Sequence, residues 1–202
     1  MNDVFLRQNY FMQRILLIDN YDSFTYNLVQ LLRESGVAHE LLIVANDTPI
    51  DMLPANFDKV LISPGPGLPD ESGHLMELIA FFVNRVPILG VCLGHQALSM
   101  FFGAKLKQLP HSLHGQKDAV FFSSQKDILF DGLTNAFACG RYHSWVVDPE
   151  SLPESLLITA SDQDGNIMAL KHATLPVWGV QFHPESYMTE GGNLMIKNWL
   201  QS

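Results

Sequence analysis

The chain has few cysteines, few basic residues and no long apolar run, and each scarcity excludes a class of protein. Its 202 residues include two cysteines, Cys92 and Cys139, too few for the disulfide framework of a small secreted domain. It has 12 lysines and arginines against 21 aspartates and glutamates, which argues against binding to nucleic acid. It has no run of 18 apolar residues, so we expect no membrane-spanning helix.

The N-terminus also lacks the features of a signal peptide, since Asp3 comes early and no continuous apolar segment follows. We therefore expect a cytoplasmic protein. Residues 1–13 are predicted to be an extension, which is either disordered or packed on the rest. With 47% hydrophobic and 16% charged residues, and no repeat or linker, residues 14–202 are predicted to form one domain.

Short apolar runs alternate with helical patterns in the first half of the chain. Strands are predicted at 15–18, 40–44, 59–63 and 87–91, and helices at 24–32, 73–84 and 94–102. Such alternation predicts βαβ units and a parallel, doubly wound sheet. Ligands bind beyond the carboxyl ends of the strands in such sheets, and dense motifs follow Ile18, Ile62 and Val91.

The second half predicts short strands without long helices between them. These strands lie at 104–108, 117–122, 136–141, 156–161, 166–171 and 177–182, and a helix at 193–200 closes the chain. They are either antiparallel additions to the first sheet or a small second sheet. The predicted fold class is therefore α/β, with a mixed sheet and added antiparallel strands.

A G-x-C-x-G motif at Gly90–Gly94 follows the predicted strand 87–91 and opens a helix. This is the arrangement of a nucleophile elbow, in which a sharp strand-to-helix turn exposes a reactive side chain. The positive end of the helix favours the thiolate form of Cys92, and the Leu93 amide can point toward an oxyanion. Free cysteines are also often buried, so a structural thiol is the alternative.

A second motif, Gly179 to Ser186, ends another predicted strand and contains His183 and Glu185. Residues two apart on an extended backbone point to the same face, and Pro184 disfavours a helical conformation at His183. A carboxylate can fix the tautomer of an imidazole, which can then act as the base for a cysteine. Alone, the motif fits a surface histidine as well; with Cys92 it predicts a Cys/His/Glu triad.

A third motif, S-P-G-P-G at Ser63–Gly67, ends the strand 59–63. Its prolines stiffen the loop and leave the amides of Gly65 and Gly67 as donors, which suits a second oxyanion contact. A tight turn shaped by Gly and Pro is the alternative. A phosphate-binding loop is excluded because no Lys-Ser/Thr pair follows.

These three motifs, in this order and spacing, resemble the class I, triad-type glutamine amidotransferases. The resemblance runs from about Arg14 to the end of the chain. The segment 19–27, D-N-Y-D-S-F-T-Y-N, is similar to the glutaminase subunit of anthranilate synthase and of aminodeoxychorismate synthase. The segments 141–144 (R-Y-H-S) and 114–115 (H-G) resemble the same branch.

The resemblance implies a flavodoxin-like fold with helices on both faces of a mixed sheet. It implies catalytic roles for Cys92, His183 and Glu185. No metal site is expected, because His111 and His114 have no Cys pair or acidic ligand at metal spacing. It places the glutamine-binding and oxyanion positions at Gly65, Pro66, Gly67, Leu93, Gln96, Ser144 and Trp145. The family commonly has Leu where this chain has Trp145, which is tolerable if that position acts through its backbone.

The resemblance further implies a subunit that hydrolyses glutamine and passes ammonia to a chorismate-using synthase, component I. It implies Mg²⁺ in the partner and no cofactor in this subunit. The expected product is anthranilate, for tryptophan; aminodeoxychorismate, for folate, or both, is the alternative. Residues 19–27 and the loop near His114 are the expected contact zones. Remoter alternatives are a stand-alone γ-glutamyl cysteine hydrolase and a non-catalytic regulatory module.

Overall fold

The structure is a computed structural model that describes residues 12–54, 56–123, 127–134 and 136–202. Most of the expected N-terminal extension, residues 1–11, lies outside the described residues. Gln13, the last residue of that expected extension, begins the first strand. Among the described residues, no helix is both long enough and apolar enough to cross a membrane.

The described strands form one nine-stranded sheet in the order β2-β1-β3-β4-β9-β8-β7-β5-β6. The first five are parallel, and the remaining pairs are antiparallel. The strands are β1 (Gln13–Asp19), β2 (His39–Ala45), β3 (Lys59–Ile62), β4 (Ile88–Val91), β5 (Leu106–Phe122), β6 (Ala136–Val147), β7 (Leu156–Ser161), β8 (Ile167–His172) and β9 (Val177–Val180). The α-helices are α1 (Thr25–Glu34), α2 (Leu75–Phe82), α3 (Leu93–Phe101) and α4 (Gly192–Gln201), with short 3-10 helices at Ile50–Met52, Pro69–Glu71, Ile128–Phe130 and Pro149–Ser151.

The central strands are buried on both faces, which explains why their sequences are continuously apolar. In β1, Ile15 and Leu17 pack with α1 and α4 on one face. Leu16 and Ile18 pack with α2 and α3 on the other. The sequence-based fold class, a doubly wound mixed sheet with helices on both faces, is confirmed.

Helix α3 lies unusually close to the centre of the sheet because glycines face each other there. A Cβ atom on Gly90 of β4 would collide with the carbonyl group of Gly94 in α3. A Cβ atom on Gly94 would in turn lie 2.8 Å from the carbonyl oxygen of Ile62 in β3. The glycines on either side of Cys92 therefore allow the close approach of helix and sheet that places the start of α3 at the sheet's edge.

The second half differs from the sequence-based prediction in two ways. The predicted strands 104–108 and 117–122 are parts of one strand, β5, which passes through register shifts between Gln108 and Gln116. The predicted strand 136–141 continues to Val147 as β6. Polar and Pro/Gly residues hid the continuity of β5, because this strand is largely exposed and pairs along most of its length with β6 alone. The alternative of a second sheet is wrong, since all these strands extend the first one.

Candidate active site

Cys92 lies at the sharp turn between β4 and α3. Its backbone has φ 52° and ψ −101°, a conformation that residues with a side chain rarely adopt and that costs about 1–3 kcal/mol. The turn is held by hydrogen bonds from the Cys92 amide to the Val180 carbonyl (2.8 Å) and from the Gln96 amide to the Cys92 carbonyl (3.0 Å). The neighbouring strand and the first turn of the helix thus hold the strained residue in place.

His183 and Glu185 follow β9, the strand that pairs with β4. The Nδ1 atom of His183 lies 2.7 Å from Oε1 of Glu185, and both side chains are buried. Because a carboxylate can only accept, Nδ1 carries the proton. The Nε2 atom of His183 is buried and makes no regular hydrogen bond among the residues that the structure describes. It is therefore free to exchange a proton with the nucleophile and the substrate.

The electrostatics of this histidine favour its charged form. Burial, the largest single effect, lowers the pKa of His183, but the negative charge of Cys92 and the hydrogen bond and charge of Glu185 together outweigh it. The net result is a raised pKa for His183. An imidazolium beside a thiolate is the pair that cysteine nucleophiles require.

Two aromatic rings lie against His183. The centroid of Phe24 is 5.2 Å and that of Tyr142 is 4.9 Å from the imidazole centroid, both in edge-to-face arrangements. The hydroxyl group of Tyr142 lies 3.2 Å from that of Ser186 in the following turn. These contacts fix the plane of the imidazole and limit its exposure to water, and His183 is 2% exposed.

The S-P-G-P-G loop is held beside Cys92 by Asn20, at the end of β1. The Asn20 amide donates to Ser63 Oγ and its side-chain Nδ2 donates to the Ser63 carbonyl, both at 2.8 Å. A Cβ atom on Gly65 would collide with the side chains of Asn20 and Leu93. The loop therefore fits between β1 and α3 only with glycine at this position.

These elements surround a pocket of about 670 Å³ at the carboxyl edge of the parallel strands. Cys92 and His183 line it, and Glu185 supports His183 from behind. All seven positions expected to hold glutamine or its oxyanion also line this pocket: Gly65, Pro66, Gly67, Leu93, Gln96, Ser144 and Trp145. Other residues that line it include Asp22, Phe24, Glu71, Gln108, His114, Tyr142 and His143.

The backbone of Trp145 takes part in a buried network. Its carbonyl oxygen accepts hydrogen bonds from Gln96 Nε2 (2.8 Å) and from His143 Nδ1 (3.1 Å). Gln96 Nε2 also donates to Gln181 Oε1 (3.1 Å). These contacts to residue 145 use its backbone, so a Trp in place of the family's usual Leu leaves them intact.

His143 is kept neutral by a second cluster behind it. Arg141, 1% exposed, donates from Nε to His143 Nε2 (3.2 Å) and from an Nη atom to Asp118 and Asp162, both at 2.7 Å. Burial first, and then the charge of Arg141, lower the pKa of His143 to about 3. A neutral His143 can therefore accept from Arg141 while it donates to Trp145.

Sequence reasoning missed three residues of this site: Asn20, His143 and Gln181. Asn20 and His143 lie in segments that the sequence reasoning named as family signatures, and for residues 19–27 also as a contact zone, without a role in the site for either residue. Gln181 lies two residues before His183 and within the predicted strand 177–182, where strand alternation predicts both side chains on one face. That signal was present in the sequence.

No group of three or more His, Cys, Asp or Glu side chains with the geometry of a metal site occurs among the described residues. The chemistry that the pocket offers is nucleophilic attack by a cysteine, with a histidine as proton carrier and backbone amides as oxyanion donors. Substrates of such a site are amides, esters or thioesters of a size that the pocket accepts.

Comparisons with known proteins identify the family of the chain. Residues 16–202 match the family model of the class-I glutamine amidotransferases. The aminodeoxychorismate/anthranilate synthase component 2 of Bacillus subtilis is 44% identical over 93% of this chain and 96% of that protein. The aminodeoxychorismate synthase component 2 of Escherichia coli is 43% identical over 92% of this chain and 98% of that protein. The anthranilate synthase component 2 of Mycobacterium tuberculosis H37Rv is 44% identical over 93% of this chain and 81% of that protein.

The fold has a solved counterpart. The crystal structure of a protein assigned as a GMP synthase subunit, from Thermoplasma acidophilum, superposes with a TM-score of 0.82 at 28% identity over 94% of this chain and 93% of that one. The family that the three motifs resemble is thus confirmed by sequence and by structure. The chain belongs to the class-I glutamine amidotransferases, among the component 2 subunits of anthranilate and aminodeoxychorismate synthases.

Proposed function

We propose that the chain hydrolyses glutamine through Cys92, His183 and Glu185 and delivers the ammonia to a chorismate-using synthase. The observation that carries the proposal is the meeting of these residues at one pocket. Cys92 lies on a strained turn, and the 2.7 Å contact between His183 and Glu185 fixes the tautomer of the base. A cysteine that served packing alone would need neither feature.

In the proposed first step, the Cys92 thiolate attacks the side-chain amide carbon of glutamine. His183 gives its Nε2 proton to the leaving nitrogen, the carbon–nitrogen bond breaks, and ammonia and a γ-glutamyl thioester result. In the second step, His183 takes a proton from water, the hydroxide attacks the thioester, and the carbon–sulfur bond breaks. Glutamate leaves, and the thiolate and imidazolium are restored.

The negative oxygen that forms in both steps needs donors in fixed positions. The hydrogen bond from the Gln96 amide to the Cys92 carbonyl is the first one of helix α3. The backbone amides of residues 93–95 come before it in the chain and therefore have no partner within the helix. We assign the Leu93 amide and the Gly65–Gly67 loop as the oxyanion donors, and Gln96, Ser144 and Trp145 as contacts to the rest of glutamine. The clamp from Asn20 supports this role, because an oxyanion site must be rigid before the reaction.

The proposed product of the complex is anthranilate, for tryptophan synthesis. The second candidate is aminodeoxychorismate, for folate synthesis, because the Escherichia coli relative has that name and the Bacillus subtilis relative has both names. Capture of the partner synthase from an extract of the source cell with the tagged chain, followed by identification of its product, separates the two. Recovery of both synthases supports a shared subunit.

Replacement of the nucleophile tests the proposed chemistry. In the complex with its synthase, Cys92→Ser is expected to lower glutamine-dependent product formation by at least about 10³-fold, while ammonia-dependent formation stays unchanged. Product formation from each nitrogen source is measured by fluorescence. Glutamine-dependent activity that survives in Cys92→Ser would refute the proposal.

The second cysteine provides a matched control. Cys139 is buried in β6, and burial raises the pKa of its thiol to about 12, so it stays an unreactive thiol. Cys139→Ala is expected to keep glutamine-dependent activity. A chloroketone analogue of glutamine is expected to label Cys92 and to leave Cys139 unlabelled. Hydrolysis of γ-glutamyl peptides without any synthase would favour the stand-alone hydrolase instead.

A further inference from the structure

We propose that Gln181 is a further catalytic residue, whose side-chain amide donates a hydrogen bond to the sulfur of Cys92 and stabilises the thiolate. The inference rests on the proposed role of Cys92 as the nucleophile. Gln181 Nε2 lies 3.6 Å from Cys92 Sγ, within the range of hydrogen bonds to sulfur. The Gln181 side chain is fully buried, so water does not compete for this contact.

The orientation of the Gln181 amide follows from its neighbours. The Trp145 carbonyl can only accept, so Gln96 must present its NH₂ group to it. The same NH₂ group lies 3.1 Å from the Gln181 side chain, which must therefore present its oxygen. The NH₂ group of Gln181 is then left for Cys92. The Trp145 carbonyl can only accept, so it orients the Gln96 amide, and Gln96 in turn orients the Gln181 amide. As a result, the Cys92 sulfur faces an N–H donor.

The backbone of Gln181 is held as firmly as its side chain. Its amide donates to the Met168 carbonyl on the adjacent strand β8 at 2.9 Å. Gln181 and His183 both lie in the segment directly after β9, and both contact Cys92 from there. The Cys92 sulfur therefore lies near the His183 imidazole, which carries the proton, and the Gln181 amide, which is a neutral donor. One short segment positions both groups.

This contact acts in both chemical steps. Before the attack, the contact favours the thiolate over the thiol, which raises the fraction of protein molecules in which Cys92 can react. When the thioester hydrolyses, the carbon–sulfur bond breaks and its electron pair returns to sulfur, so the same donor stabilises the leaving thiolate. A thioester sulfur carries no charge and accepts poorly, so the contact is strongest where negative charge forms.

Other groups around the pocket also influence the charge on Cys92. His183 is the cation beside it, while Asp22 and Glu71 line the pocket as carboxyl groups. The pKa values of His95 and His143 are lowered to about 4 and about 3, chiefly by burial, so both are neutral at physiological pH. Replacement of Gln181 alone keeps all of these groups in the chain. A comparison of Gln181 variants with the wild type therefore measures the effect of Gln181 on the ionisation of Cys92.

The test measures the rate of Cys92 alkylation by iodoacetamide as a function of pH, by intact-protein mass spectrometry. Gln181→Met keeps the length of the side chain and removes the donor, and its midpoint is expected about one pH unit above that of the wild type. Gln181→Glu places a carboxylate oxygen beside the sulfur and is expected to raise the midpoint further. Gln108→Met, a glutamine that lines the same pocket, is the control with an unchanged midpoint.

A midpoint for Gln181→Met equal to that of the wild type overturns the inference, provided that circular dichroism shows both to be folded. If the Met variant does not fold, Gln181→Glu decides, because it can still accept the hydrogen bond from Gln96. If neither folds, the ¹⁵N side-chain NMR signal of Gln181 in the native chain decides: it must shift as Cys92 ionises. Alkylation does not involve glutamine, so these outcomes are separate from the glutaminase test with Cys92→Ser.

Discussion

At the scale of single residues, the buried histidines His183 and His95 have different charge states because their neighbours differ. His183 lies between Glu185 and Cys92, which together raise its pKa despite burial. His95 is fully buried in α3 against Gly179, and burial lowers its pKa to about 4 against a weaker effect of the Gly179 backbone. The first can carry a proton in catalysis, whereas the second is a packing residue.

The buried His95 predicts a specific loss of stability in acid. Below about pH 6.5 the unfolded chain protonates this histidine, whereas the folded chain does not until about pH 4. The unfolded state then binds more protons, so the free energy of unfolding falls by about 1.4 kcal/mol per pH unit from this group. Between pH 7 and pH 5, we expect the wild type to lose about 2 kcal/mol more than His95→Gln, measured by urea denaturation.

The control for this experiment is His111→Gln, which replaces an exposed histidine of β5. It is expected to follow the wild type at both pH values, since it leaves the buried His95 in place. Equal losses in the wild type and His95→Gln would show that His95 does not contribute. Carboxyl groups that titrate in the same range affect all three chains alike and cancel in the comparison.

At the scale of elements, β6 joins the pocket to the buried charge cluster. His143, Ser144 and Trp145 line the pocket, whereas Arg141 binds Asp162 and Asp118 and supports His143 from behind. Asp162, just after β7, also accepts from the Asn166 side chain at 2.7 Å. The cluster therefore links β6 to the loop between β7 and β8, although neither β7 nor β8 pairs with β6.

Removal of the arginine should destabilise the fold strongly. Arg141→Met leaves the fully buried Asp162 carboxylate without its cation, which is expected to lower the free energy of unfolding by about 3–5 kcal/mol. Lys117→Met, which breaks an ion pair with Glu190 on the exposed surface, is the matched control and should change stability little. Urea denaturation at pH 7 measures both, and similar losses in the two variants would contradict this account.

At the scale of the whole molecule, the parallel strands bring four chain segments to one edge of the sheet. Those segments follow β1, β3, β4 and β9, and they carry Asn20, the Ser63–Gly67 loop, Cys92 and His183. Exposed aromatic side chains lie in two of these segments and in the first turn of α1, with Tyr21 63%, Tyr187 89% and Tyr26 68% exposed. Large exposed aromatic residues are enriched where proteins dock, which fits a partner on this side of the molecule.

A partner at this edge predicts that catalysis is coupled to assembly. The isolated chain is expected to release glutamate slowly and to speed up by about tenfold or more on mixing with its synthase, a change of about 1.4 kcal/mol in the barrier. Glutamate release is measured against synthase concentration, with Cys92→Ser in the same mixture as the control for contaminating glutaminase. Equal rates with and without the synthase would count against coupling.

Local pattern determined much of this protein from the sequence alone. Continuous apolar runs marked the buried strands, and glycines at Gly36 and Gly103 marked helix ends, where both have positive φ. The motifs around Ser63–Gly67, Cys92 and His183 each lie within one turn or one strand end, and their order and spacing resemble the family that the comparisons confirm. A period of two or of 3.6 residues is a property of adjacent residues, which is why the sequence reveals it.

Tertiary structure alone decided how the motifs meet. The contacts of Gln96 with Trp145 and with Gln181 span 49 and 85 residues, and no local pattern predicts either pair. The continuous strand β5 follows from its pairing with β6, since residues 109–116, between its two predicted parts, include Pro110 and Gly115 and predict a loop. Whether the Gln181 amide turns its nitrogen or its oxygen toward Cys92 depends on the Trp145 carbonyl in strand β6. The sequence therefore specified which side chains are present, and the fold specified which amide atom faces the sulfur.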